Sequence, residues 1–185
     1  MDTTNKPTEN KAPENARTER PRGRTSGRSF ADRPKPEFDQ KILDIRRVTR
    51  VVAGGRRMSF SVAIVIGDKK GSVGIGTGKA TDTSLAINKA VRSAKKNMIK
   101  VKTTKTMSIP HDAEAKFGSA KIMIRPNGGR GLIAGSSLRD VLALAGIKDV
   151  TAKVHSGSKN KLNNARAALI ALSTMKLKQI APINQ

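Results

Sequence analysis

The sequence predicts an α+β protein. An N-terminal three-stranded antiparallel sheet carries one helix, and a small α+β domain with a right-handed βαβα unit follows. Three observations predict it. Short β-branched runs fill residues 42–80 before any helical spacing begins. Beyond residue 106 the pattern becomes strand, helix, strand, helix. Residues 1–38 hold five prolines and no Val, Ile or Leu, so they cannot bury enough apolar surface to offset ordering entropy and read as a disordered basic tail. The boundaries are 1–38 for the tail, 39–105 for the first domain and 106–178 for the second.

Residues 42–52, ILDIRRVTRVV, read as the first strand. Residues 59–66, SFSVAIVI, read as the second, with Phe60, Val62, Ile64 and Ile66 on one face and Ser59, Ser61, Ala63 and Val65 on the other. GDKKG turns the chain into a third strand, SVGIGTGK, whose Val73, Ile75 and Thr77 face oppositely to Gly74, Gly76 and Gly78. A strand face without side chains lets another backbone come close. Thr81 or Asp82 caps the first helix, in which Ile87, Val91, Ala94 and Met98 share a face.

The polar stretch 100–107 reads as the boundary. In the second domain Ala120, Ile122 and Ile124 alternate in a strand, and PNGGRG (126–131) is a loop. Ser136 or Ser137 opens a helix with Leu138, Val141, Leu142 and Ala145 inward, and Gly146 stops it. Val150, Ala152 and Val154 mark another strand. Asn160 or Ser158 caps a last helix with Leu162, Ala165, Leu169 and Leu172 inward. This order predicts a crossover with the two strands parallel.

Charge narrows the function. The chain has 37 Lys+Arg against 14 Asp+Glu, a net charge of +23. The tail carries 9 basic and 6 acidic residues, so the part expected to fold keeps 28 basic against 8 acidic. Repulsion at that density is relieved by a polyanion, and nucleic acid is the usual one. Four Phe and no Tyr or Trp leave almost nothing on which to stack single-stranded bases. Phosphates, sugars and shape of a folded RNA are what such a surface reads.

Other classes are poorly supported. There is no Cys, and the two histidines, His111 and His155, read as structural or surface residues rather than metal ligands. No apolar run is long enough to span a bilayer, and a cytoplasmic protein is expected. GIGTGK (74–79) fails as a phosphate-cradling loop, because Val73 stands where its first glycine belongs and Ala80 where a hydroxyl belongs. Asp112 and Glu114 are neighbours but are expected in a polar loop, with no nucleophile elbow nearby. No enzyme, cofactor, metal or small-molecule substrate is implied.

What remains is cation placement. Arg50, Arg56 and Arg57 surround Gly54-Gly55, which permit positive φ and close approach to a sugar–phosphate backbone. Lys89, Arg92, Lys95 and Lys96 give the first helix a basic side, and Lys69 and Lys70 add to it. Only Asp82 balances the charge between Lys69 and Lys105.

RVVAGGRRMSFSVAIVIGD, GSVGIGTGKA and AINKAVRSAKKNMI closely resemble the first domain of the bacterial small-subunit ribosomal protein five family. FGSAKIMIRP, GLIAGSSLRDVLALAGIKDV and GSKN resemble its second domain, in the same order, over residues 38–176. The resemblance implies a first domain like the double-stranded-RNA-binding fold and binding to small-subunit ribosomal RNA. It implies neighbouring proteins four and eight, and a position near messenger RNA at its entrance and the decoding region. Roles in assembly and translational accuracy follow from it. The segment 51–57 matches a protruding tip inserted into ribosomal RNA beside the spectinomycin site. The region of Arg130, Gly131 and Arg139 matches a protein interface, facing protein four around Arg130. Ser84 and Lys161 stand where proline is common, and Arg130 where a small polar residue is common. The alternative is a free-standing RNA or DNA chaperone that binds duplexes without choosing.

Overall fold

A computed structural model describes residues 37–104 and 106–175. The expectations for residues 1–36, Lys105 and residues 176–178 lie outside the described residues.

The first sheet is antiparallel, in the order β1 (Asp39–Val52), β2 (Gly55–Gly67), β3 (Ser72–Ala80), β4 (Met98–Lys100), with α1 (Thr83–Lys96) between β3 and β4. Three strands were expected. The fourth is a three-residue strand directly after the helix, too short to show an alternation in sequence.

The run VAIVI within β2 is apolar on both faces because both faces are covered. Val62, Ile64 and Ile66 pack against α1, while Ala63 and Val65 enter a second cluster with Ile122, Leu138, Val141 and Leu172. Each fully buried Val or Ile contributes about 1.5–3 kcal/mol.

The expected inner face of α1 holds at Ala94, is displaced by one position at Ile87 and Val91, and loses Met98, which lies past the helix in β4. Ala86, Ala90 and Ala94 are the buried stripe; Ile87 and Val91 are half-buried at its side. The cause is β3. A Cβ added at Gly74 would stand 2.5 Å from the Ala94 carbonyl oxygen, and Gly76 and Gly78 face the Ala90 and Ala86 carbonyls even more closely. Helix and strand backbones touch, so only alanine fits between them.

The second sheet has the order β5 (Ala113–Phe117), β6 (Ala120–Pro126), β8 (Val150–Val154), β7 (Leu132–Ala134). The expected parallel pairing of the strand at residues 120–125 with that at 150–154 is overturned. β6 and β8 are antiparallel, and the parallel partner of β8 is β7. The glycine-rich loop turns the chain into β7, three residues between Gly131 and Gly135. The crossover through α2 (Ser136–Ala145) then brings β8 between β6 and β7. Glu114, expected in a loop, lies in β5, a strand the sequence reading missed.

Both caps of the second half behave as read. Gly146 closes α2 in the left-handed conformation (φ +82°). The Asn160 side chain accepts from the Leu162 and Asn163 amides at the start of α3 (Lys161–Thr174). That cap supports the helix start at Lys161. The buried positions of α3 are Asn164, Ala165, Ala167, Ala168, Ala171 and Leu172, wider than the expected stripe, and Leu162 and Leu169 are half-buried. Contacts with both sheets and with α2 surround this helix, and a helix so enclosed loses its amphipathic signature. The described residues belong to one compact unit, and one core cluster joins residues on either side of the 105/106 boundary.

Candidate nucleic-acid interface

β1 and β2 run on past the sheet. β3 pairs with β2 only up to Phe60, opposite Ala80, whereas the β1–β2 pairing continues to Val52 opposite Gly55. Residues 48–52 and 55–59 are therefore a free two-stranded ribbon, about 15 Å long at 3.3 Å per residue. Its turn is Ala53-Gly54. Of the two glycines only Gly55 is left-handed (φ +119°), so the expected need for positive φ rests on that residue. A Cβ at either glycine would meet nothing within 4 Å.

Strand pairing fixes where the arginines go. Arg50 sits directly opposite Arg57, on one face. Arg56 lies on the other face, opposite Val51. Like charges directly across a sheet repel, by about 0.2–1 kcal/mol. None of the three is ion-paired to a described carboxylate. The tip thus holds an unrelieved cationic pair that an external anion would stabilise.

Arg46 and Arg47 were missed. Both are exposed in β1, one on each ribbon face; Arg46 is ion-paired with Asp44, and Arg47 has no described carboxylate partner. Strand alternation through IRRVTR was the signal that would have found them.

Along α1, Lys89, Arg92, Lys95 and Lys96 are all exposed. Lys95 lies over the Phe38 ring, 5.2 Å from its centre, and Lys89 donates to the Lys79 carbonyl at 3.4 Å. None of the four is ion-paired to a described carboxylate. Asp82, the acid at the helix start, is held below the ordinary carboxylate value by the Ser84 hydroxyl. Ser84 thus has a partner of its own where proline would have none.

Lys69 and Lys70 sit at the opposite end of β2 from the tip. Their turn docks on α2: the Lys69 amide donates to the Leu144 carbonyl and the Gly71 amide to the Ala145 carbonyl, at 3.0 and 2.9 Å. Lys69 is ion-paired with Asp39, which leaves Lys70 as the unpaired cation of this turn among the described residues. Burial alone would raise the Asp68 carboxyl, but hydrogen bonds from the Ser72 and Lys70 amides outweigh it and hold the group below its ordinary value.

Arg130 is exposed in the loop before β7, and Arg139 is exposed in the first turns of α2. Gly131, left-handed at φ +78°, donates its amide to Asp149 at 3.2 Å. Arg130, Gly131 and Arg139 belong to the loop before β7 and to α2, elements other than the ribbon and α1. Asp112 and Glu114 pair with Arg125 and Lys121 rather than with each other. The glycines of GIGTGK are occupied by α1, with no room for a phosphate. His111 and His155 are exposed. No helix among the described residues is long and apolar enough to cross a membrane.

Two family models match the chain. One, described as the N-terminal domain of ribosomal protein S5, covers residues 38–102, and the other, its C-terminal domain, covers residues 115–183. The chain belongs to the ribosomal protein S5 family. Its similarity to named members is high. It is 46% identical over 155 residues to small ribosomal subunit protein uS5 of Trichormus variabilis, covering 82% of this chain and 88% of that one. It is 45% identical over 151 residues to the uS5c protein of Emiliania huxleyi, covering 80% and 94%. It is 47% identical over 141 residues to uS5 of Synechococcus elongatus, covering 76% and 78%. S5 is a structural component of the small ribosomal subunit, not an enzyme, and in bacteria it resides with the ribosome in the cytoplasm.

Proposed function

We propose that this S5 chain binds small-subunit ribosomal RNA with the β1–β2 ribbon and the basic face of α1. Residues 39–105 act as the RNA-binding part. Residues 106–178, through Arg130, Gly131 and Arg139, serve the contact with proteins four and eight. Such a placement supports subunit assembly, translational accuracy and the messenger-RNA entrance. The observation that carries the reading is the free ribbon, whose open Gly54-Gly55 tip bears Arg50, Arg56 and Arg57 with no described carboxylate to neutralise them. Rigid arginine forks on a bare backbone suit the phosphates of a prefolded RNA.

Chemical footprinting of the protein on purified small-subunit ribosomal RNA tests this. One protected region, carried into the small-subunit peak of a sucrose gradient, is the expected result. Uniform protection would favour a non-selective chaperone. In cells, Gly55→Val is expected to distort the tip and alter spectinomycin sensitivity, and an unchanged response would separate the tip from that site.

A further inference from the structure

The ribbon has two chemically different faces. Arg50 and Arg57 lie on one, with Arg46, Ser59 and Ser61. The other carries Val51, Met58, Phe60 and Ile45 in a diagonal strip, flanked by Arg47 and Arg56. This strip is not core. Val51 is 75% exposed, Ile45 47% and Met58 41%. Ile45 is open although its cross-strand partner Val62 is fully buried, because α1 packs on β2 and β3 and leaves β1 uncovered. An exposed apolar strip rimmed by polar residues marks a contact surface.

Resting on the reading above, we infer that the ribbon grips ribosomal RNA with both faces by different chemistry. The Arg50/Arg57 face meets phosphates. The Ile45–Phe60–Met58–Val51 strip lies against ribose and base edges in the shallow minor groove of a duplex segment. That groove is wide, and sugars line it, so flat apolar contact is accessible there without stacking on the bases. Charge decides for RNA over a protein partner. Arg47 and Arg56 flank the strip, neither is ion-paired to a described carboxylate, and the strip is continuous with the cationic tip.

Salt titration of binding separates the two faces. Phosphate contacts release counterions and set the log–log slope; aliphatic contacts do not. Affinity of the full chain for purified small-subunit ribosomal RNA would be measured from low to high salt for V51T/M58Q and for R50Q/R57Q. Thr and Gln keep side-chain size at exposed positions, and thermal unfolding checks that the fold is intact. V51T/M58Q is expected to bind roughly tenfold more weakly at every salt concentration, with the slope unchanged. R50Q/R57Q is expected to flatten the slope by about 1.8. Parent-like affinity of V51T/M58Q would overturn the inference. So would normal binding to free RNA with impaired entry into the subunit, which would assign the strip to a protein. Failure of the parent chain itself to bind the RNA would overturn the earlier reading, and this inference with it.

Discussion

Two sets of glycines in the first sheet do opposite things. Gly74, Gly76 and Gly78 on β3 have no space at all, since the carbonyls of α1 occupy the place of their missing side chains. Gly54 and Gly55 at the ribbon tip have nothing within 4 Å. The first set is spent on the fold, bringing helix and sheet backbones together. The second leaves backbone bare to the outside. A glycine pattern resembling a ligand loop is therefore not a site until its surroundings are known; here the more motif-like segment, GIGTGK, is the structural one.

Substitutions break or sharpen this contrast. The largest effect is expected for Gly76→Ala. Its new methyl would collide with the Ala90 backbone, and overpacking of this kind costs about 3 kcal/mol, read as a lower urea midpoint. A neutral result would mean that α1 can retreat and that the contrast is false. Next comes R50Q/R57Q, for which RNA binding and stability are expected to move apart. Binding weakens and loses salt dependence, while removal of the cross-strand repulsion leaves the protein at least as stable, by about 0.2–1 kcal/mol. Loss of stability in that variant would show the arginines to be structural.

Asp68→Ala is expected to cost about 1 kcal/mol, through loss of the Lys70 and Ser72 amide hydrogen bonds that shape the turn docked on α2. Because the folded carboxyl lies below its ordinary value of 3.8, its contribution is complete above that value and is lost as pH falls below it. The parent and the variant should therefore converge in stability under strong acid. The smallest effect is expected for Gly54→Ala. It meets open space and has no left-handed angle to strain, so unfolding should change by less than about 0.5 kcal/mol. A larger loss would mean that the tip is packed after all.

Much of the fold was legible. Alternation located β2, β3, β6 and β8, and the Gly146 stop and Asn160 cap were found at their helix ends. Two of the missed strands share a cause. β4 and β7 have three residues each, less than two periods of alternation, and exist because longer neighbours offer them hydrogen bonds. The stripe on α1 was assigned to Ile87 and Val91 because size normally marks the inner face. Glycines on a different element reversed that rule. At the candidate interface the sequence named Arg50, Arg56 and Arg57. Which of them share a face is a property of β1–β2 register, which no one-strand pattern contains.

The chain's own order of residues determined its excess charge, its poverty in aromatics, its apolar periodicities and the cations around one glycine pair, because these are local or additive properties. Tertiary structure alone decided that β8 enters between β6 and β7, that Lys69 pairs with Asp39, and that the ribbon sets the Arg50–Arg57 pair on one face and an apolar strip flanked by Arg47 and Arg56 on the other. Those outcomes depend on which distant segments meet, and pairing between segments is set by the packing of the whole core rather than by any stretch read by itself.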